Sequence, residues 1–576
     1  MNPKLNIYNT ADAALDALQE SGISYLFSNL GSDHPAFIEG FAKAKAQNRS
    51  IPEVIICPHE YVAVSAAHGY YQLTGEPQGV FVHTDVGTQN IGGSLHNASR
   101  SRIPIFIFSG ETPSTMEGEL PGSRNSYINY LQNVYDQRGI IRSYVKWDYD
   151  IRTGKNVKQL VYRAIQLANS DPKGPVYLTG TREVLEEEVE PSLDFSAKWK
   201  PIEKNVLPPS AVKKIVNALI AAEEPVLVTT AVGRNVESVE ELIKFCEKLA
   251  IPVVESNSVY MNFPNNHPLH QGFTGGERIS KADVVVVIDS DVPWVPTLSR
   301  PNEGSQVFFI DIDPLKEHIP LWHGIADGFY QADSYQALQQ MNEFLNQLEL
   351  DQEVIAGRYE RLRISHLEQR AEWAEKEKIL DDGIITPEWL TACLNRVVDD
   401  DTIIINESIT NTLAFWQHLP RNKPGTSIGN GGSSLGWGGG AAFGAKLAKP
   451  GETIVHLTGD GSYLFSIPSS VYWMSRRYNA PFLTVIYNNQ GWNATKNNLL
   501  RVHPEGIAQR DDRYWVNFDQ PADLAKIAEA AGGALAITVS DPEKLQEALK
   551  TGIDAVQNGK TAVIDVRIAT ISNQKD

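Results

Sequence analysis

Two short stretches of this 576-residue chain place hard oxygen donors where apolar runs end. "ETIVHLTGDGS" ends its run on Asp460, set between Gly459 and Gly461 and followed by Ser462. "PFLTVIYNNQG" ends the next run on Asn488 and Asn489, the latter 29 residues after Asp460. A carboxylate and an amide oxygen suit Mg²⁺ or Ca²⁺, and Mg²⁺ characteristically completes its shell with substrate phosphates. Gly459 and Gly461 are expected to permit a sharp turn and a close backbone approach. Ser462 is expected to open a helix whose free N–H groups suit an anion. Alone, Asp-Gly is an ordinary turn and Asn-Asn an ordinary loop start. Together, at consecutive strand ends, they point to a metal that carries a diphosphate.

A rival pattern lies close by. "GWGGGA", from Gly436 to Ala441, fits GxGxxA, with Asp460 24 residues after Gly436. A dinucleotide fingerprint has to follow a buried strand directly. Here the preceding residues, "KPGTSIGNGGSSL", are rich in glycine and serine. The rival also leaves Asn488, Asn489 and the first third of the chain unexplained.

Residues at such strand ends need a sheet to carry them. The chain alternates short apolar runs with helical patterns, which implies parallel sheets covered on both faces. Three such α/β blocks follow one another, so the fold class expected is α/β with three consecutive doubly wound parallel-sheet domains. They are placed at 1–185, 209–350 and 384–576, with a charged, proline-bearing linker at 186–208 and a connecting helix at 351–383. Ligands of open parallel sheets bind beyond the carboxyl ends of the strands. That rule adds Asp33, Glu60, His83 and Glu111 to Asp460 and Asn489 as candidates.

Composition narrows the class. With 51 Lys plus Arg against 70 Asp plus Glu, the net charge of −19 opposes nucleic-acid binding, which needs cationic surface. Three scattered cysteines, without a CxxC, indicate free thiols in a reducing compartment. The N-terminal stretch lacks the basic start and apolar core of a signal peptide, and no apolar run reaches membrane-spanning length. A cytoplasmic protein is expected.

The run from Gly459-Asp460-Gly461 to Asn488-Asn489 resembles the thiamine diphosphate signature of the 2-oxo acid decarboxylase and acetolactate synthase superfamily. A second signature lies in the first block: "CPHEYVAVSAAHGYYQLTG" resembles that family's glutamate-bearing helix, and "GTQN" and "RIPIFIFSGE" resemble its next two elements. The resemblance covers essentially the whole chain and implies a pyrimidine-binding, a central and a diphosphate-binding domain. It implies that Asp460, Asn489 and the carbonyl of Gly491 bind the metal, with Gly461, Ser462 and Thr410 near the diphosphate. Leu435 would bend the cofactor from beneath, and the Ser433 carbonyl would accept the aminopyrimidine proton. Ser433 and Ser434 stand where relatives usually have two glycines. Glu60 would hydrogen-bond the pyrimidine ring nitrogen and promote removal of the C2 proton.

Local detail is most similar to benzoylformate decarboxylase. "SNLGSDHP" supplies Ser32 and "VHTDVGTQN" supplies His83, as substrate-carboxylate binder and proton carrier. A second active-site histidine has no counterpart in "DSDVPWVPTL". Without a dedicated proton donor, ligation of the decarboxylated fragment to a second carbonyl, as in acetolactate synthases, is favoured over aldehyde release. Glu111 stands where acetolactate synthases usually carry glutamine. Residues 209–350 show no clear flavin fingerprint, so FAD is not expected, although a flavin-using oxidase of the family is the alternative, with a non-catalytic cofactor-binding protein behind it. The resemblance further implies a homodimer or homotetramer with shared active sites. The substrates would be a 2-oxo acid and an aldehyde or 2-oxo acid acceptor.

Overall fold

The structure, a computed structural model, describes residues 7–322, 324–518, 520 and 522–571. Among the described residues, seventeen strands form three parallel sheets. The first holds β1 (Tyr25–Ser28), β2 (Glu53–Ile56), β3 (Gln78–Val82), β4 (Ile105–Glu111), β5 (Trp147–Asp150) and β6 (Val176–Thr181), in the order β2-β1-β3-β4-β6-β5. The second holds β7 (Pro225–Thr229), β8 (Val253–Glu255), β9 (Val284–Ile288), β10 (Gln306–Asp311) and β11 (Gly328–Gln331), in the order β11-β10-β9-β7-β8. The third holds β12 (Ile403–Glu407), β13 (Ser427–Gly429), β14 (Ile454–Gly459), β15 (Leu483–Asn488), β16 (Leu535–Val539) and β17 (Ala562–Arg567), ordered β13-β12-β14-β15-β17-β16.

Numbered from its own first strand, the third sheet has the same order as the first. In both, the strand order reverses beside the first strand. The two crevices lie past β1 and β3 in the first sheet and past β12 and β14 in the third. That is where an open parallel sheet binds its ligands. The central strands explain why the chain folds this way. β3, β7, β9 and β15 are buried at every residue, as expected of strands covered by helices on both faces. Polar residues therefore collect where these strands stop.

The first and third sheets are joined by two helices that cross closely, Glu60–Thr74 and Trp437–Ala448. A Cβ at Gly69 would run into the backbone of Ala441, one at Gly444 into Ala66, and one at Gly440 into Ser65. Glycine and alanine along this seam let the two backbones approach, and Trp437 is fully buried beside them. The helix that begins at Glu60 is thus fixed against the third domain. Among the described residues, no helix is long and apolar enough to cross a membrane.

Candidate active site

The third sheet builds one half of the site. β14 runs straight into a helix at Asp460–Phe465, with Gly459 as its extended cap. Asp460, not Ser462, is the first helical residue, so the acid itself stands at the helix N-terminus and Ser462 lies buried within the first turn. Neither Gly459 nor Gly461 needs a left-handed backbone here. Gly461 is required for a different reason: a Cβ there would collide with the indole of Trp492.

Asp460 is 3% exposed. One carboxylate oxygen accepts from the Gly461 N–H at 2.8 Å and the other from the Gly491 N–H at 3.0 Å, so the 489–491 turn closes over the acid. Burial is the largest influence on this carboxyl and pushes it up to about 6, against the pull of those backbone N–H groups. A buried acid in that condition gains from a cation. Asn489 supplies the second donor. It is buried, and its Oδ1 has no hydrogen-bond partner. Such orphaned oxygens are rare because each costs the full desolvation of the group. Gly491 is held against Val516 and Ile571, where any Cβ would collide. Asn488, by contrast, turns away and donates to Asp565 at 2.7 Å.

Thr410 sits in a short turn, Ile409–Asn411, whose first residue has φ +51°. It lines a cavity of about 580 Å³ with Asn406, Glu407 and Gly429–Gly432, and this is not the cavity that Asp460 lines with Leu464, Asn488 and Phe518. Glu407, which sequence reasoning passed over, is fully engaged. Its carboxylate accepts the N–H groups of Gly436, Trp437 and Gly438 at 2.8–3.1 Å and so caps the helix behind Leu435. Burial still pushes it up to about 7.

The 433–435 segment is gripped by the first domain of the same chain. Tyr61 donates its hydroxyl to the Leu435 carbonyl at 2.5 Å, Asn97 bonds both the N–H and the carbonyl of Ser434, and His96 meets the Ser433 hydroxyl at 3.1 Å. The serine hydroxyls at 433 and 434 thus have partners on the first domain, Ser434 through Tyr61 at 3.4 Å.

The first sheet builds the other half. Glu60 opens the helix that follows β2, after the cap residue His59, and is 8% exposed. Its Oε2 accepts from Asn90 at 3.1 Å, and Gly87 is close enough that a Cβ would meet Oε1. Asn90 stands in the "GTQN" stretch singled out in the sequence. His83 follows β3 directly. Its Nδ1 lies 2.5 Å from Asp33 Oδ1 and its Nε2 lies 2.6 Å from the Gln132 amide nitrogen. Burial draws this imidazole down, and the hydrogen bond and charge of Asp33 more than offset it, so His83 is raised. Ser32 is exposed beside this pair and is not a helix cap, that place being taken by His34. Glu111, at the end of β4, is raised chiefly by burial.

Glu60, Ser32 and His83 therefore gather past β1, β2 and β3 of the first sheet, and Asp460, Gly461, Ser462, Asn489 and Gly491 past β14 and β15 of the third. No hydrogen bond or ion pair among the described residues joins Glu60 to Asp460.

Comparison with known proteins matches all three blocks. The thiamine pyrophosphate enzyme family matches by its N-terminal TPP binding domain at residues 8–140, its central domain at 212–341 and its C-terminal TPP binding domain at 410–566. The chain belongs to this family. Within it the chain falls in the 2-oxo acid decarboxylase and acetolactate synthase superfamily. An acetolactate synthase large subunit from Buchnera aphidicola subsp. Acyrthosiphon pisum is 24% identical over 98% of this chain and 95% of its own length. A benzoylformate decarboxylase from Pseudomonas aeruginosa is 25% identical over 97% of this chain and 98% of its own length. The solved benzoylformate decarboxylase from Polynucleobacter necessarius shares the fold with a TM-score of 0.79 at 20% identity, covering 99% of this chain and 100% of that one.

For a family that binds thiamine diphosphate, the donors present fit a cation-held diphosphate. The test is the Asn489 oxygen, buried and unpartnered on the turn whose Gly491 N–H closes on the buried Asp460 carboxylate.

Proposed function

We propose that this thiamine diphosphate enzyme decarboxylates a 2-oxo acid and ligates the remaining fragment to a second carbonyl compound. The orphaned, buried Asn489 Oδ1, on the turn whose Gly491 N–H bonds Asp460, is the observation that carries the cofactor half of this reading. Asp460, Asn489 and the Gly491 carbonyl would hold Mg²⁺ or Ca²⁺, with the N-terminus of the 460–465 helix and Gly461 and Ser462 turned to the diphosphate. Thr410 would complete that end from the neighbouring cavity. Leu435, fixed through its carbonyl by Tyr61, would support the bend of the cofactor, and the Ser433 carbonyl would receive the aminopyrimidine proton. When bound, thiamine diphosphate supplies a carbon nucleophile and an electron sink that let a 2-oxo acid lose CO₂. Glu60, oriented by Asn90, would share a proton with the pyrimidine nitrogen.

Substrate-side work falls to Ser32 and His83. Ser32 would receive the substrate carboxylate and His83 would hold or move a proton through Nε2. The region "DSDVPWVPTL" brings no second histidine. Proton delivery to the decarboxylated carbon is therefore poorly provided for, which favours capture by a carbonyl acceptor over aldehyde release. The alternative, a benzoylformate decarboxylase-like release of aldehyde, is supported by the likeness in the Ser32 and His83 loops. A FAD-using oxidase lacks a fingerprint in 209–350.

Glu60 and Asp460 stand on different sheets with no hydrogen bond or ion pair between them, which supports a site shared between two copies of the chain, in a homodimer or a pair of dimers. NMR analysis of products from a panel of 2-oxo acids, with and without aldehyde or 2-oxo acid acceptors, tests the ligation reading. New C–C-bonded products are expected, and free aldehyde alone, undiminished by acceptors, would refute it.

A further inference from the structure

His83 does not sit alone. Its Nδ1 meets Asp33, which is 3% exposed, and its Nε2 meets Gln132 from the loop after β4. The seat for the pair is cut by two glycines. A Cβ at Gly31 would overlap the His83 ring, and one at Gly110 would overlap Asp33. Asp33 is itself locked. Its Oδ2 accepts the backbone N–H of Thr84 at 3.1 Å and of Gly110 at 2.9 Å, and its Oδ1 lies 2.8 Å from His34 Nδ1. Burial alone would raise the Asp33 carboxyl, but the two imidazoles, His34 above all, hold it well below the usual carboxylate range. It is a fixed anion whose only freedom is to face His83 and His34.

We propose that Asp33 is the positioning residue of His83: it keeps the proton of Nδ1 pointing inward, so that Nε2 alone faces the substrate, where the Gln132 side chain holds it until a substrate oxygen takes the amide's place. The geometry permits this in both charge states of the ring. A neutral His83 with its proton on Nδ1 accepts at Nε2 from the Gln132 NH₂. A charged ring donates from Nε2, and the Gln132 amide turns its oxygen to it, or yields to a substrate carboxylate or carbonyl oxygen. The other groups bearing on this ring are Asp85 and Glu60, whose charges favour the same protonated form. Gln132 is 7% exposed, and its backbone carbonyl accepts from the Thr112 hydroxyl at 2.9 Å, which anchors the main chain from which the amide reaches His83. The inference rests on the reading of His83 as the proton carrier.

The test is a double-mutant cycle on the holoenzyme with Asp33→Asn, His83→Ala and the pair. An asparagine keeps an oxygen for the Thr84 and Gly110 N–H groups but presents an NH₂ to Nδ1, which forces the other tautomer. Asp33→Asn is expected to lower kcat by about 10²-fold, the low end of what a positioned acid–base group contributes. KM and thiamine diphosphate affinity should stay near wild type. The double variant should be no slower than His83→Ala. If His83→Ala slows turnover and Asp33→Asn does not, or if the two losses multiply, the positioning role is overturned while His83 keeps its part. If His83→Ala turns over like wild type, the proton-carrier reading falls and the inference falls with it. A second measurement needs no variant at position 33: the ¹⁵N spectrum of the neutral His83 ring in wild-type protein, assigned by its loss in His83→Ala. A proton on Nδ1 supports the proposal, and a proton on Nε2 overturns it.

Discussion

Asn489→Leu separates a metal ligand from a structural residue. The Asn489 oxygen is buried and accepts nothing within the chain. A buried polar atom in that condition costs about 1–3 kcal/mol. Leucine, close in size, removes the polar atom and with it that cost, so the ligand-free variant should melt no lower than wild type and somewhat higher if packing is kept. Cation binding recovers at least the same energy in wild type, so its loss should weaken metal-dependent cofactor binding by about 5- to 150-fold, at 1.4 kcal/mol per tenfold. At a ligand concentration 100 times the wild-type Kd, wild type gains about 2.7 kcal/mol from binding, whereas a variant weakened about 100-fold gains about 0.4 kcal/mol. Thermal melts with and without thiamine diphosphate and Mg²⁺, at matched protein concentration, read both effects. Because a three-domain chain need not melt in two states, the quantity compared is the ligand-induced shift in Tm. A full shift in Asn489→Leu would refute the ligand assignment. A ligand-free variant that melts many degrees lower would show that the oxygen has a structural partner.

Gly461→Ala should lose cofactor affinity because its Cβ would meet the Trp492 indole, and Trp492→Ala should restore part of it; isothermal calorimetry on the two single variants and the pair checks this. Glu60→Gln should keep the fold and bind cofactor, yet slow C2 hydrogen–deuterium exchange of bound cofactor by about 10²–10⁴-fold; exchange at the wild-type rate would remove Glu60 from proton transfer. Mixed Glu60→Gln and Asp460→Ala subunits, each inactive alone, should regain part of the wild-type activity under exchange conditions, since one site of each heterodimer then carries neither lesion. No recovery despite confirmed exchange would place each site within one chain.

The sheet order was not legible in the sequence, but the kind of sheet was. The strand portions of "PFLTVIYNN" and "GVFVHTDVG" are largely apolar because both faces of β15 and β3 are covered, and that implies parallel strands with helical crossovers. The same logic put Asp33, Glu60, His83, Asp460 and Asn489 at strand ends, where the structure has them. What spacing could not show is who touches whom. Gln132 reaches His83 from 49 residues away, out of a loop with no periodicity to read. Nothing in the sequence marks Glu407, because its three backbone partners come from the start of a helix about 30 residues on, where Gly436 takes φ +91° as the cap. The sequence predicts a sharp turn and a close approach at Gly461; its backbone is ordinary, and the close approach is that of Trp492, 31 residues on in sequence.

The central claim is that the cation site and Glu60 together drive decarboxylation of a 2-oxo acid. The direct measurement is release of ¹³CO₂ from a panel of 1-¹³C-labelled 2-oxo acids by protein stripped of metal and cofactor and then resupplied. Release is predicted with at least one substrate only when thiamine diphosphate and Mg²⁺ are both returned, and it should be lost in Asp460→Ala and strongly slowed in Glu60→Gln. Release that persists in the stripped protein or in Asp460→Ala, or no release from any 2-oxo acid with both returned, would contradict it.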